Sequence, residues 1–312
     1  MVKKLLVTCP PMLERIAEFR SEIKDRGFEL SAPSVVQTLS EDELCDLVPF
    51  HDAWIVGDDP ASRRVLAAGA QGSLKAVVKW GVGVDNVDFQ ACEELNLPVK
   101  NTPAMFGPEV ADLAVGYLIA LSRDLVRIDR NVRLGNWIKP SGMSLTQKVV
   151  GVVGFGDIGQ QLAKRLDAFG LEIIAYDPFV SRQAGPSGVQ RADWGDRLSE
   201  LDFLVFTCAL TETSRNMLND DVLQRLKRGV RVVNVGRGGV IDEVALMSHL
   251  RSGHVASCAL DVFENEPLNP NHEILKFESC ILGTHNASNT EEAVRRCSYR
   301  ALDILGELLA GV

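Results

Sequence analysis

Short apolar runs rich in valine, isoleucine and leucine alternate along this chain with stretches of helical period, the pattern of parallel strands buried on both faces and joined by helices. In the first hundred residues the runs at 4–8, 53–56 and 74–80 predict strands, and 12–26 predicts a helix ended by Gly27. Ser40-Glu41-Asp42-Glu43 and the stretch from Ser62 read as helix starts with serine as N-cap, and the former has acidic residues in its first turn. A glycine turn, Gly81-Val82-Gly83, leads through Asp85-Asn86-Val87-Asp88 into a short helix over 89–95. Pro98 and Val99 mark a last strand, and Asn101-Thr102-Pro103 a hinge.

From Pro108 the pattern changes. Val110, Leu113, Ala114, Tyr117, Leu118, Leu121, Leu125, Ile128 and Val132 keep helical spacing, which predicts one long helix carrying the chain from a first domain into a second. Residues 135–147, with Trp137, Pro140 and Gly142, read as an irregular arm; an exposed tryptophan there points to a subunit contact, a buried one to local packing. Alternation then resumes, with strands at 149–153, 172–176, 203–207, 231–235, 257–262 and 280–282 and helices at 158–169, 220–227 and 243–251. An amphipathic helix at 290–309 closes the sequence and is long enough to return to the first domain.

The organising stretch is 149–177, VVGVVGFGDIGQQLAKRLDAFGLEIIAYD. Strand, glycine turn, helix and second strand follow in the order a dinucleotide site needs. Gly154 allows the tight turn, Gly156 lets the backbone approach a pyrophosphate, and Gly159 lets helix pack on strand. Asp157 and Ile158 open the helix, whose N-terminus favours an anion. Asp177 ends the second strand eighteen residues after Gly159, where a carboxylate accepts bonds from ribose hydroxyls and repels a 2′-phosphate. The expected cofactor is NAD, with Arg182 nearby as a residue that could soften the preference over NADP.

Composition narrows the class. At 312 residues the chain has room for two domains, and 46% hydrophobic with 24% charged residues is ordinary for a globular protein. A net charge of −9 argues against nucleic acid or an anionic membrane as partner. No signal peptide or membrane-spanning run is evident, and the seven cysteines are dispersed without metal-ligand spacing. Buried reduced thiols in a cytoplasmic protein without a metal are expected, with Cys9, before two prolines, the most exposed.

Three residues predicted to follow strands carry candidate chemistry: Arg237 in NVGRGG, Glu266 in DVFENEP and His285 in THNA. Oxidising an alcohol by hydride loss requires a base for the hydroxyl proton, a task suited to histidine; a carboxylate on its other nitrogen would orient the ring. Arginine can hold a carboxylate and polarise a carbonyl. Glu264 competes with Glu266 for the pairing role.

With GVGVDN, ADLAVGYLIALSR, GNW, VGFGDIG with YDP, NVGRGGVID, ALDVFENEP and THNAS in place, the chain from about Leu74 onward resembles the D-isomer-specific 2-hydroxyacid dehydrogenase family. The resemblance implies an α/β protein of two doubly wound parallel-sheet domains. An NAD-binding Rossmann domain at 103–287 would be inserted in a smaller flavodoxin-like substrate domain at 1–102 and 288–312, with the substrate in the cleft between them. It implies that Arg237 binds substrate, that Glu266 pairs with the acid/base His285, that the backbone around Val82 and Gly83 holds the substrate carboxylate, and that Asp261 contacts the nicotinamide carboxamide. Cys208, Thr213, Val235, Gly236 and Asn286 are expected to line the cofactor. Thr284 and Ala209 stand where the family usually has proline. The acidic Val56-Gly57-Asp58-Asp59 lacks the arginine of phosphoglycerate-specific members, although Lys79 could supply a charge. The expected function is NAD-dependent interconversion of a small D-2-hydroxy acid and its 2-oxo acid by a homodimer. A 3-phosphoglycerate or phosphite dehydrogenase and an NADH-sensing, corepressor-like protein are the alternatives. The short stretch after the last helix is expected to leave no room for a regulatory domain.

Overall fold

In a computed structural model, residues 2–180, 186 and 188–310 are described; Arg182 lies outside them. The chain forms two compact units, Met1–Met105 with Asn289–Val312, and Phe106–Ser288.

The first unit runs β1 (Lys3–Val7), α1 (Pro10–Glu14), α2 (Ile16–Asp25), β2 (Phe28–Ser31), α3 (Glu41–Leu47), β3 (Ala53–Val56), α4 (Arg63–Gln71), β4 (Ala76–Lys79), α5 (Phe89–Glu94) and β5 (Val99–Asn101). Its sheet has the order β2-β1-β3-β4-β5, every pairing parallel. The strands are apolar on both faces because helices cover both, and Leu6, Trp54, Val56, Leu66 and Val77 build one side of the core. The start of α3 is the capping box its sequence predicts: the Glu43 N–H donates to Ser40 Oγ, and the Ser40 N–H to Glu43 Oε2.

The second unit opens with α6 (Gly107–Arg123) and α7 (Leu125–Arg133). It continues through β6 (Val149–Val153), α8 (Asp157–Asp167), β7 (Glu172–Tyr176), β8 (Gln190–Arg191), β9 (Phe203–Phe206), α9 (Asp220–Arg225), β10 (Val230–Asn234), α10 (Glu243–Arg251), β11 (Val255–Leu260) and β12 (Ile281–Leu282). The helix α11 (Glu291–Ala310) then returns to the first unit and packs on β4. The second sheet has the order β12-β11-β10-β9-β6-β7-β8 and is parallel throughout. The direction of winding reverses between β6 and β9, which opens a crevice at their carboxyl ends. The expected α/β class with doubly wound parallel sheets is what forms.

Four local expectations are corrected. The helix expected over 12–26 divides at Arg15, and the long helix expected from Pro108 divides at Asp124. Asp124 has φ 55°, a left-handed conformation that aspartate tolerates better than most residues, and its carboxylate accepts from Arg127 Nη2 at 2.6 Å. The apolar spacing continues on both sides, so periodicity alone does not register the break. Strands β2 (FELS) and β8 (QR) are too polar to stand out as apolar runs. Cys9 is 1% exposed, because it packs against Gly57 at the end of β3.

At the amino edge of the second sheet, Asp202 ties three strands together. Its N–H donates to the Val149 carbonyl, its Oδ2 accepts from the Val149 N–H (3.0 Å), its carbonyl accepts from the Arg231 N–H, and its Oδ1 accepts from Lys227 Nζ (2.8 Å). Burial opposes its charge, but the Lys227 and Val149 donors outweigh burial and hold its pKa below the usual carboxylate value. A pKa lower in the folded than in the unfolded chain contributes stability that is present at neutral pH and is lost as pH falls below about 4, through the unfolded and then the folded pKa. Asp202→Asn is therefore expected to lower the urea midpoint at pH 7 and to flatten the decline of stability in acid; an unchanged acid limb would contradict this.

Candidate active site

The β6–α8 turn is the candidate nucleotide side of the site. Gly154 has φ 86°, its N–H donates to the Tyr176 carbonyl at 2.9 Å, and a Cβ there would lie 2.6 Å from Cys208 Cα. A Cβ on Gly159 would overlap the Gly154 carbonyl oxygen. Gly156, the residue preceding α8, is different: a Cβ built on it meets nothing within 4 Å. Two glycines are thus needed for packing, and the third faces open space above a helix N-terminus, a cradle that fits a pyrophosphate. Asp157 is exposed, with its carboxylate against Gly107 at the start of α6, and Ile158 is half-buried beside it.

Asp177 follows β7 as expected. Its Oδ2 accepts from the Phe155 N–H at 2.6 Å and its Oδ1 from the Phe179 N–H at 2.8 Å. Those bonds fix the carboxylate beside the glycine turn, and each oxygen keeps a second lone pair for a ribose hydroxyl. Arg191, on β8, places its guanidinium 3.8 Å from the Phe155 ring centroid. Burial lowers its pKa and the Asp177 charge partly offsets this, so Arg191 is a cation near Asp177 that sequence reading missed. Cys208, at the far wall of the turn, has its thiol pushed up to about 11, chiefly by burial, and stays protonated at neutral pH. Thr213 is exposed, its hydroxyl 3.1 Å from that of Thr211.

Arg237, Glu266 and His285 follow the carboxyl ends of β10, β11 and β12, three neighbours in one sheet. Asn234 shapes the first loop: its Nδ2 donates to the Arg237 carbonyl (2.9 Å) and its Oδ1 accepts from the Gly236 N–H (3.0 Å). Val235 is buried beneath, and Arg237 Nη1 donates to the Gly236 carbonyl at 3.0 Å. Gly238 lies so close to the next loop that a Cβ would overlap the Phe263 carbonyl. In that next loop Glu266 Oε1 accepts from the Phe263 N–H at 2.9 Å, while Oε2 lies 2.7 Å from His285 Nδ1. The side chains of Glu266 and His285 are 19% and 21% exposed. Glu264 is exposed; its N–H donates to the buried Glu243 Oε1 at 2.8 Å, and Glu243 Oε2 lies 3.2 Å from His272 Nε2. Glu266 rather than Glu264 is the carboxylate brought to His285.

Asp261 organises the third loop. Its carbonyl accepts from the His285 N–H at 2.6 Å and its Oδ2 from the Ala287 N–H at 2.8 Å. His285 itself has φ 54°, and Asn286 beside it is exposed. In the first unit, Lys79 is buried and its Nζ donates to Asp58 Oδ1 (3.0 Å) and to the Trp80 carbonyl (3.2 Å). Asp59 points inward: Oδ2 accepts from Thr8 Oγ1 and Oδ1 from the Leu39 N–H, and burial raises its pKa against those bonds. The acidic pair is therefore one ion-pair partner and one core residue. Val82 and Gly83 stand on the β4–α5 turn, with the Val82 carbonyl accepting from Asn101 Nδ2 at 3.0 Å. The roles of Glu243 and Arg191 left no sequence signal, because each acts through backbone or ring contacts between segments distant in the chain, and that of Asn234 depends on the fold of its own loop.

A glycine cradle at the switch point and a carboxylate-paired histidine on the same sheet edge are compatible with a nicotinamide-dependent dehydrogenase, and the family match gives that class. The model for "D-isomer specific 2-hydroxyacid dehydrogenase, NAD binding domain" matches residues 115–287, and the chain belongs to that NAD-binding enzyme family. It is 38% identical over 272 residues to a hydroxypyruvate reductase of Thermotoga maritima, covering 85% of this chain and 87% of that protein. It is 33% identical over 293 residues to a D-3-phosphoglycerate dehydrogenase of Archaeoglobus fulgidus; the match takes in 93% of this chain but spans only about half of the relative, 54%. Among solved structures, the apo D-lactate dehydrogenase of Escherichia coli superposes with a TM-score of 0.84 at 29% identity, over 99% of this chain and 97% of that one.

The open space at Gly156 and the crowding at Gly238 predict opposite outcomes for the same substitution. Gly156→Ala is expected to leave the melting temperature unchanged and to weaken NADH binding at least about tenfold, a loss of about 1.4 kcal/mol. Gly238→Ala is expected to destabilise the fold by at least about 1 kcal/mol through overpacking. Calorimetry and NADH fluorescence titration of the two variants distinguish the roles.

Proposed function

We propose that this enzyme interconverts a small, unphosphorylated D-2-hydroxy acid and its 2-oxo acid, with His285 as acid/base. The observation that carries the reading is the 2.7 Å contact between His285 Nδ1 and Glu266 Oε2 at the carboxyl edge of the NAD-binding sheet. A carboxylate on Nδ1 keeps a proton there and leaves Nε2 to exchange one with substrate. It also favours the imidazolium needed to protonate a 2-oxo acid as it is reduced. NAD, when bound, supplies the acceptor or donor of the hydride. Gly154, Gly156, Asp157, Ile158 and Gly159 would hold its pyrophosphate and Asp177 its adenosine ribose. Cys208, Thr213, Val235, Gly236, Asp261 and Asn286 would line the rest. Arg237 pairs with the substrate carboxylate and polarises its carbonyl. The Val82 and Gly83 backbone and Lys79 are further proposed substrate contacts. Because Lys79 is already matched by Asp58, a phosphate would find its charge largely spent.

The similarities to a hydroxypyruvate reductase and to a glyoxylate reductase make hydroxypyruvate and glyoxylate the first substrates to test. NADH oxidation should be followed with both, with pyruvate, 2-oxobutyrate, branched and aromatic oxo acids, and with 3-phosphohydroxypyruvate. Turnover of one or more small oxo acids is expected, with the phosphorylated one poor. His285→Ala should lose about two to four powers of ten in kcat, the usual worth of a positioned acid/base. Near-normal turnover in that variant would sink the assignment.

The same proposal includes a homodimer. Helix α7 buries no residue, and Leu125, Val132, Leu134 (77% exposed) and Trp137 (80% exposed) present apolar surface along it and the following arm. A second copy is the proposed cover. Light scattering should give twice the chain mass for the native protein and one chain mass for a Leu134→Glu, Trp137→Glu double variant; a native monomer would overturn this.

A further inference from the structure

Tyr117 belongs to the apolar stripe of α6, where sequence reading gives it only a packing role. It is 8% exposed, and its phenol O–H donates to Asp261 Oδ1 at 3.3 Å. Asp261, 1% exposed, is the point from which the loop 283–287 is suspended. Its carbonyl takes the His285 N–H, one carboxylate oxygen takes the Ala287 N–H and the other takes Tyr117. Gly283 makes the convergence possible: a Cβ there would lie 2.6 Å from Tyr117 Oη and would overlap Asp261 Oδ1. Burial, and then the charge of Asp261, raise the Tyr117 pKa, so the phenol keeps its proton and remains a donor through the neutral range.

A carboxylate held at one oxygen can still turn about its last torsion; held at both, it cannot. Turning would release the Ala287 N–H, and with it the loop that keeps His285 at φ 54°, a conformation that persists in a non-glycine residue only when its surroundings over-determine it. We propose that Tyr117 is a positioning residue for proton transfer: through the Asp261 carboxylate it fixes the loop that presents His285 to Glu266. This rests on the reading of His285 as acid/base.

The test is a double-mutant cycle on Tyr117→Phe and Asp261→Asn, read as kcat at saturating NADH on the best oxo acid found. His285→Ala is run in parallel. Tyr117→Phe removes one oxygen and keeps the ring. It is expected to lower kcat about 10- to 150-fold, the range of one hydrogen bond to a charged group. The oxo acid KM should stay within about twofold, and the apparent pKa of kcat should fall, because a His285 held less firmly against Glu266 has its imidazolium stabilised less. In the Asp261→Asn background the further loss should be small. An unchanged kcat per NADH-binding site in Tyr117→Phe, with or without a lower melting temperature, overturns the proposal. So do losses that multiply in the double variant. If His285→Ala retains activity, the underlying assignment fails instead.

Discussion

A parallel strand covered on both faces cannot leave its last backbone groups to water, so the pairing runs one step past each strand into the loop that follows. The Gly154 N–H bonds to the Tyr176 carbonyl, that of Thr207 to Val153, Val235 to Phe206, Asp261 to Asn234 and Gly283 to Leu260, all between 2.8 and 3.1 Å. Those first loop residues are therefore placed as rigidly as the sheet, and the candidate chemistry hangs from them. Asp261 is the joint where this ladder passes into side-chain bonding, since it continues the backbone pairing and carries the His285 loop on its carbonyl and carboxylate.

The two edges of the second sheet divide the work. At the carboxyl edge, buried polar atoms serve loops: Asn234 shapes the Arg237 turn, Glu243 holds the Glu264 backbone and Glu266 meets His285. At the amino edge, Asp202 joins β6, β9 and β10 and has no part in the candidate chemistry. A charge at the amino edge acts on folding equilibrium, whereas one at the carboxyl edge acts on geometry. The first unit handles its charges in the same economical way, with Lys79 matched by Asp58 and Asp59 drawn into the core by Thr8 and the Leu39 N–H.

Much of the site was legible because each part had a local reason. A glycine turn between strand and helix, an acid at the end of the next strand and a histidine after a third each state a requirement within a few residues. The capping box at Ser40 and the bounds of α10 were legible for the same reason. What escaped was whatever depends on a single dihedral or on a distant partner. The left-handed residue at Asp124 leaves apolar spacing intact on both sides, and β8 is two residues of an ordinary polar stretch.

The sequence by itself determined the alternation of strands and helices, the parallel doubly wound class and the residue types at the strand ends, because these follow from periodicity and steric need at short range. It named Glu266 for the pairing role but kept Glu264 as a competitor, gave Tyr117 no more than a place in a hydrophobic stripe, and marked Cys9 as exposed. Tertiary structure decided those points. Only when β10, β11 and β12 lie side by side does Glu266 reach His285, and only when α6 packs beside that edge does the Tyr117 phenol meet Asp261. Such contacts join residues far apart in the chain, and no local pattern encodes them.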